Sequence, residues 1–185
     1  METITRKFQD KEIRIRTLQE IDIKKAKKFQ VFVNELVIDN TALVRIKTKQ
    51  TLKEERGWVK GIFEKMKRSQ AVMLIAEHNN KVIASTSVRL LPYTQNHIAS
   101  FGIAILKEYR SIGLGRYLMS EILKLTKTKL KPKIIKLGAF STNKIAISLY
   151  KKMGFKIVAT IPKQISFNNK LIDEVIMLKF EKTGS

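Results

Sequence analysis

The sequence predicts a mixed α/β fold, and three observations lead there. Short apolar or alternating runs trade places with longer runs in which apolar residues recur every three or four positions. Turn signals, an Asn-Asn pair and a Gly-x-Gly, stand between those runs. A length of 185 residues with 44% hydrophobic content suits one ordinary globular domain with a real core.

Taken in order, the elements are as follows. From about Glu12 to Arg16, Ile13 and Ile15 alternate with charged residues, which reads as a strand. Ile21, Lys24, Lys25, Lys28, Phe29, Phe32, Val33 and Leu36 carry a helical pattern up to about Ile38. Trp58, Ile62, Phe63 and Met66 mark a second helix from about Leu52 to Arg68, and Asp39 to Gln50 between them is left unassigned. Ala71 to Glu77 is an apolar strand. His78-Asn79-Asn80-Lys81 is a hairpin turn, since Asn tolerates positive φ, and Val82 to Leu91 returns, closed by Pro92-Tyr93. Asn96 to Ile105 makes another strand. A helix from Gly113 to about Lys129, a strand Ile134 to Phe140, a helix Asn143 to Lys152 and strands Phe155 to Ile161 and Leu171 to Phe180 complete the chain. The order is β-α-α-β-β-β-α-β-α-β-β. With no repeat or linker, a single domain over 1–185 is expected, its core at 11–180 and a frayed tail from Glu181 to Ser185.

Composition excludes several chemistries. Cysteine is absent, so disulfides, thiolate metal sites and a Cys nucleophile are out. With only His78 and His97, neither a His-rich metal site nor a Ser-His-Asp triad is expected, and no metal is predicted. No apolar run reaches the roughly 18–20 residues of a membrane span, and Met1 to Asp10 lacks the apolar core of a signal peptide. A cytoplasmic protein without membrane partners is expected.

The net charge of +21, from 37 basic and 16 acidic residues, attracts anions at long range. Nucleic acid, an acidic protein surface or a polyanionic cofactor such as CoA would each suit it, and so would a proteome rich in lysine. Lys124, Lys127, Lys129, Lys131, Lys133 and Lys136 read either as a solvated face or as a site for CoA phosphates or nucleic acid. No aromatic residues interleave them, so any nucleic-acid binding is expected to be non-specific and salt-sensitive.

The chemistry sits between Phe101 and Phe155. The strand ending Gly102-Ile103-Ala104-Ile105 leads to Arg110-Ser111-Ile112-Gly113-Leu114-Gly115-Arg116, then to an amphipathic helix with Leu114, Leu118, Ile122 and Leu125 on one stripe. N–H groups at a glycine turn and helix N-terminus form a phosphate cradle, and Arg110 and Arg116 can add charged hydrogen bonds. A lone Gly-x-Gly equally suits a tight turn that binds nothing. A dinucleotide fingerprint is excluded, because Leu118 stands at its third glycine and no acidic residue lies between Glu121 and Asp173. A P-loop is absent.

Arg110-x-x-Gly113-x-Gly115 resembles the R/Q-x-x-G-x-G/A signature of the GNAT superfamily of N-acetyltransferases. Asn143-x-x-Ala146-x-x-Leu149-Tyr150-x-x-x-Gly154-Phe155 resembles that family's second signature, in the right order and with a strand between. The resemblance covers residues 11 to 180. It implies a central, mostly antiparallel mixed sheet of about six to seven strands flanked by four helices. It also implies transfer of an acetyl group from acetyl-CoA, as co-substrate, to a primary amine by direct attack on the thioester. The acceptor would be a small amine or polyamine, an amino acid or a protein N-terminus. A catalytically silent CoA-binding or nucleic-acid-binding module on the same scaffold is the alternative, and a homodimer is compatible with either.

Residue by residue, the resemblance implies that Ile103, Ala104 and Ile105 pair with the pantetheine arm as an added strand. It implies that Arg110, Ser111, Ile112, Gly113, Leu114, Gly115 and Arg116 hold the pyrophosphate, with an N–H near Ile103 as oxyanion donor. Asn143 would hydrogen-bond the pantetheine or acetyl end, and Tyr150 would sit near the sulfur as general acid. Helix spacing agrees: Asn143, Ala146 and Tyr150 share a face, with small Ala146 leaving room for a ligand. Ile145, Leu149 and Met153 are expected to face the core. A tyrosine at a sheet edge with its hydroxyl in water is the structural alternative for Tyr150. Ser100 stands where many relatives carry a Glu base, so the base is unassigned among Glu77, His97, Asp173, Glu174, Glu35, Asp39 and a water chain.

Overall fold

The computed structural model describes residues 3–39, 46 and 48–181. Most of the unassigned connector after Asp39, and the expected frayed tail apart from Glu181, lie outside them. The chain divides into two compact units: Met1–Arg89 with Gly102–Leu130, and Leu90–Phe101 with Lys131–Ser185.

In the first unit the strand order is β1-β2-β3-β4, followed by the second half of β5. These strands are β1 (Ile4–Phe8), β2 (Lys11–Thr17), β3 (Ala71–His78), β4 (Lys81–Leu90) and β5 (Ile98–Ile105). β1 was not expected. Only Phe8 of its five residues is buried, so an edge strand of this kind leaves almost no apolar pattern to read. β3 is buried along nearly its whole length and pairs antiparallel with both β2 and β4. The expected hairpin at Asn79-Asn80 is present, with φ of 47° and 62° and His78 paired to Lys81.

The helix expected over Ile21 to Ile38 is two helices, α1 (Ile21–Lys24) and α2 (Ala26–Ile38), parted at Lys25. Asp22 anchors the first of them. Its carboxylate accepts from Arg16 at 2.7 and 2.8 Å and from the Gln19 N–H at 2.8 Å, which fixes α1 against β2. Arg16 also donates to Glu77 at 3.0 Å, and Lys28 approaches Glu77 at 3.6 Å. Glu77 is therefore a member of a buried ion network.

α3 (Leu52–Lys67) starts at a capping box: Thr51 accepts from the Glu54 N–H, and Glu54 accepts back from the Thr51 N–H. α4 (Leu114–Lys129) buries Leu114, Leu118, Met119, Ile122 and Thr126. The stripe thus ends on Thr126, whose hydroxyl donates to the Ile122 carbonyl, while Leu125 is only half-buried.

In the second unit the order is β5-β6-β8-β7, from β5's first half through β6 (Ile134–Phe140), β8 (Lys170–Phe180) and β7 (Lys156–Phe167). β6 lies parallel to β5 over Ile98–Ser100 and antiparallel to β8 along its whole length. β7 runs past the expected end at Ile161 to Phe167; Pro162-Lys163-Gln164, which carries no apolar signal, interrupts its register without ending it. Its irregularity there is held by Lys163, whose N–H donates to Asp173. α5 (Lys144–Lys152) has Asn143 as its N-cap.

The described residues thus hold eight strands and five α-helices, against the six to seven strands and four helices expected. The class is as predicted: a mixed α/β fold with mostly antiparallel strands.

Candidate functional site

The turn before α4 belongs wholly to the first unit. Ser111 and Gly113 take left-handed φ values of 62° and 88°, and Gly113 is the N-cap. The helix's first backbone bond is Tyr117 N–H to the Gly113 carbonyl. Among the described residues, the N–H groups of Ser111, Ile112, Gly113, Leu114, Gly115 and Arg116 have no acceptor. A Cβ added at Gly113 would meet nothing within 4 Å. These features fit a diphosphate: unpaired donors converge at the positive end of a helix, in open space.

Arg110, expected to ligate phosphate, is held by two contacts within the first unit. Its Nε donates to the Ile105 carbonyl at 2.9 Å, and its Nη2 meets Asp39 at 2.7 Å. The side chain ties the turn to the end of β5 and so shapes the cradle. Arg116 is exposed at the head of α4. Ile103, Ala104 and Ile105 are half-buried, and among the described residues β5 pairs with β6 no further than Ser100. Apart from the Ile105 carbonyl, which Arg110 holds, this stretch of backbone edge meets the chemical requirement for adding a strand-like ligand.

A cavity of about 240 Å³ also lies within the first unit. α2 and α3 form its apolar wall with Phe29, Phe32, Leu36 and Trp58, and β5 brings Ile103 and Ala104. Glu55 opens into it from α3. This residue is 7% exposed, and among the described residues its carboxylate has no hydrogen-bond or ion-pair partner. Burial alone pushes its pKa up to about 7. Sequence reading missed it. The available signal was a carboxylate standing four residues before Val59 and seven before Ile62, at the head of the buried stripe.

The second unit carries Asn143, Ala146 and Tyr150 on and before α5. The Asn143 Oδ1 accepts from the Ala146 N–H at 3.1 Å, so that oxygen is occupied as a helix cap and the amide NH₂ is left for other partners. Tyr150 is 9% exposed, with Phe101 edge-on at 6.0 Å and Phe155 at 6.3 Å. Desolvation lifts its pKa to about 12. Gly154, at φ 88°, ends the helix: the Phe155 N–H donates to the Tyr150 carbonyl and the Gly154 N–H to that of Lys151. The Gly-Phe pair thereby folds Phe155 back onto the tyrosine ring. The core face of α5 is Ile147 with Tyr150; Ile145, expected inside, is 79% exposed.

None of the remaining base candidates lines the cavity. Glu35 pairs with Lys81 at 2.8 Å, Asp39 with Arg110, and Asp173 accepts from Lys163. His97 is exposed and precedes β5, Glu174 is buried in β8, and Ser100 is half-buried beside Lys136. The six lysines from Lys124 to Lys136 are all exposed. Among the described residues no helix is long and apolar enough to cross a membrane.

With the geometry described, comparison places it among known proteins. The L-amino acid N-acetyltransferase AaaT of Escherichia coli is 32% identical over 85 residues, which is 46% of this chain and 52% of that protein. An N-alpha-acetyltransferase of Sulfurisphaera tokodaii is 30% identical over 109 residues, 53% of this chain and 64% of that one. The chain thus spans between half and two thirds of the length of these relatives. The yncA structure from Salmonella typhimurium, solved with its cofactor acetyl-CoA, shares the fold at a TM-score of 0.77 and 18% identity, covering 94% of this chain and 96% of that one. The sequence profile of the Acetyltransferase (GNAT) family matches residues 37–155, and the chain belongs to that family.

Proposed function

We propose that this protein is an N-acetyltransferase that moves an acetyl group from acetyl-CoA to a primary amine. The observation that carries the reading is the set of six N–H groups at the head of α4, from Ser111 to Arg116, that have no acceptor among the described residues. Half of the array is the ordinary open first turn of a helix, and the left-handed turn at Ser111 and Gly113 extends it into a donor set that suits the diphosphate of CoA.

Bound acetyl-CoA would supply an activated acetyl thioester. The chain's own residues supply position and charge. The turn from Ser111 to Arg116 holds the diphosphate, with Arg110 fixing its shape. The backbone edge from Ile103 to Ile105, its last carbonyl held by Arg110, aligns the pantetheine arm, and an N–H near Ile103 donates to the thioester oxygen as charge grows there. The Asn143 NH₂ and the Tyr150 hydroxyl act as donors to the thioester end. Relatives are named for an L-amino acid and for N-alpha acetylation, which places α-amines beside simple amines in the panel to be tested.

Gly113→Val tests the cradle. A β-branched residue is strained at φ 88°, and its side chain would fill the space in front of the donors. Acetyl-CoA binding measured by calorimetry is expected to weaken at least about tenfold, or ~1.4 kcal/mol. Unchanged affinity in a folded variant would remove the turn from the site.

A further inference from the structure

We propose that the cavity beside α3 is the acceptor site, that it takes a primary ammonium bearing an apolar substituent, and that Glu55 holds this ammonium and removes its proton. This rests on the acetyl-transfer reading above and names both its substrate class and its base.

Three observations converge on Glu55. The side chain is more than nine-tenths buried, yet it has no cation and no hydrogen-bond donor beside it among the described residues. No fully enclosed side-chain polar atom lacks a partner there, so the carboxylate opens into the cavity. The cavity also reaches the backbone of Ile103 and Ala104, where the thioester is expected. A buried carboxylate without a counter-charge is costly, and an incoming ammonium would supply what the fold leaves out.

The surroundings select the rest of the ligand. The aromatic and aliphatic wall from α2 and α3 suits an apolar group, and β4 offers only the hydroxyls of Ser85, Thr86 and Ser87. The Thr86 hydroxyl already donates to the Gly102 carbonyl. Among the described lining residues the only other titratable group is Glu54, whose carboxylate is taken by the Thr51 N–H and hydroxyl. A carboxylate on the ligand would face Glu54 and Glu55. At about 240 Å³ the space is smaller than the roughly 300–1,000 Å³ of drug-sized pockets, so one modest substituent fills it.

The step balances. Glu55 takes one proton from the ammonium, and the freed nitrogen pair forms a bond to the thioester carbonyl carbon. The C–S bond breaks with its electron pair leaving on sulfur. The nitrogen's second proton compensates the thiolate, and Glu55 returns its own to solvent. A base poised near neutrality, as burial makes Glu55, is matched to this task.

The test compares wild type with Glu55→Gln, a neutral isostere, on three probes: 2-phenylethylamine, phenylalanine and spermidine. Calorimetry without acetyl-CoA is expected to show 2-phenylethylamine bound at least tenfold more tightly by wild type than by Glu55→Gln. Phenylalanine and spermidine should bind more weakly than 2-phenylethylamine. In turnover, wild-type kcat/KM should rise with pH through an apparent pKa near 7. Glu55→Gln should lose about a hundredfold at pH 8 together with that limb, while acetyl-CoA affinity stays within twofold. Equal amine binding by the two proteins, or an intact pH limb in the variant, would overturn the role of Glu55. Preference for phenylalanine or spermidine would overturn the substrate class. Loss of acetyl-CoA binding by wild type itself would instead overturn the reading on which this rests. Because the raised pKa makes folding weaken as pH climbs from about 4.5 to 7, Glu55→Gln should melt no lower than wild type at pH 8.

Discussion

Replacing Tyr150 with phenylalanine is expected to lower kcat about a hundredfold and leave acetyl-CoA affinity within about twofold. The ring is packed edge-on to Phe101 and backed by Phe155, so the variant keeps its shape and loses only the hydroxyl. General acid catalysis ranges over about 10²–10⁴-fold, and burial places this residue at the low end. With a pKa of about 12, the phenol gives its proton uphill to a thiolate. Its contribution is a hydrogen bond that strengthens as charge builds on sulfur, more than a completed transfer. Turnover within twofold of wild type, with chemistry rate-limiting, would return Tyr150 to a purely packing role.

Asp22→Ala is expected to destabilise the protein by about 3 kcal/mol, the low end of the ~3–5 kcal/mol for breaking a buried ion pair. Asp22 is 1% exposed and accepts both guanidinium hydrogen bonds from Arg16, itself 6% exposed. The pair holds the Arg16 pKa above its ordinary value, chiefly through the Asp22 hydrogen bonds. Without Asp22, Arg16 keeps Glu77 as its one carboxylate partner among the described residues, with the Thr17 carbonyl, and the Gln19 N–H loses its acceptor. Urea unfolding reads the loss, and a change under 1 kcal/mol would show that the network is already hydrated.

Much of this was legible because the relevant signals are local. The β6 bounds were read correctly, and those of α3, β3 and α5 to within a residue, since apolar periodicity and turn residues suffice for them. β1 and the far half of β7 were invisible, because exposed edge strands carry little apolar pattern. The face of α5 was misjudged at Ile145 because three apolar residues at helical spacing outvoted Ile147 and Tyr150. In the candidate site the glycine turn could be read from backbone requirements alone. Arg110 could not, since its partner Asp39 lies 71 positions away in sequence. Glu55 was hidden for the same reason: a carboxylate in a helix's first turn looks like an ordinary cap-side charge until the cavity beside it is seen.

The most direct test of acetyl transfer is release of free thiol from acetyl-CoA by wild-type protein, with and without 2-phenylethylamine, followed by mass spectrometry of the amine. Amine-dependent thiol release matched by N-acetylated product is the expected result. Tight acetyl-CoA binding with no release above the protein-free rate, for this amine or for spermidine, phenylalanine and an N-terminal peptide, would contradict it and leave a silent CoA-binding module.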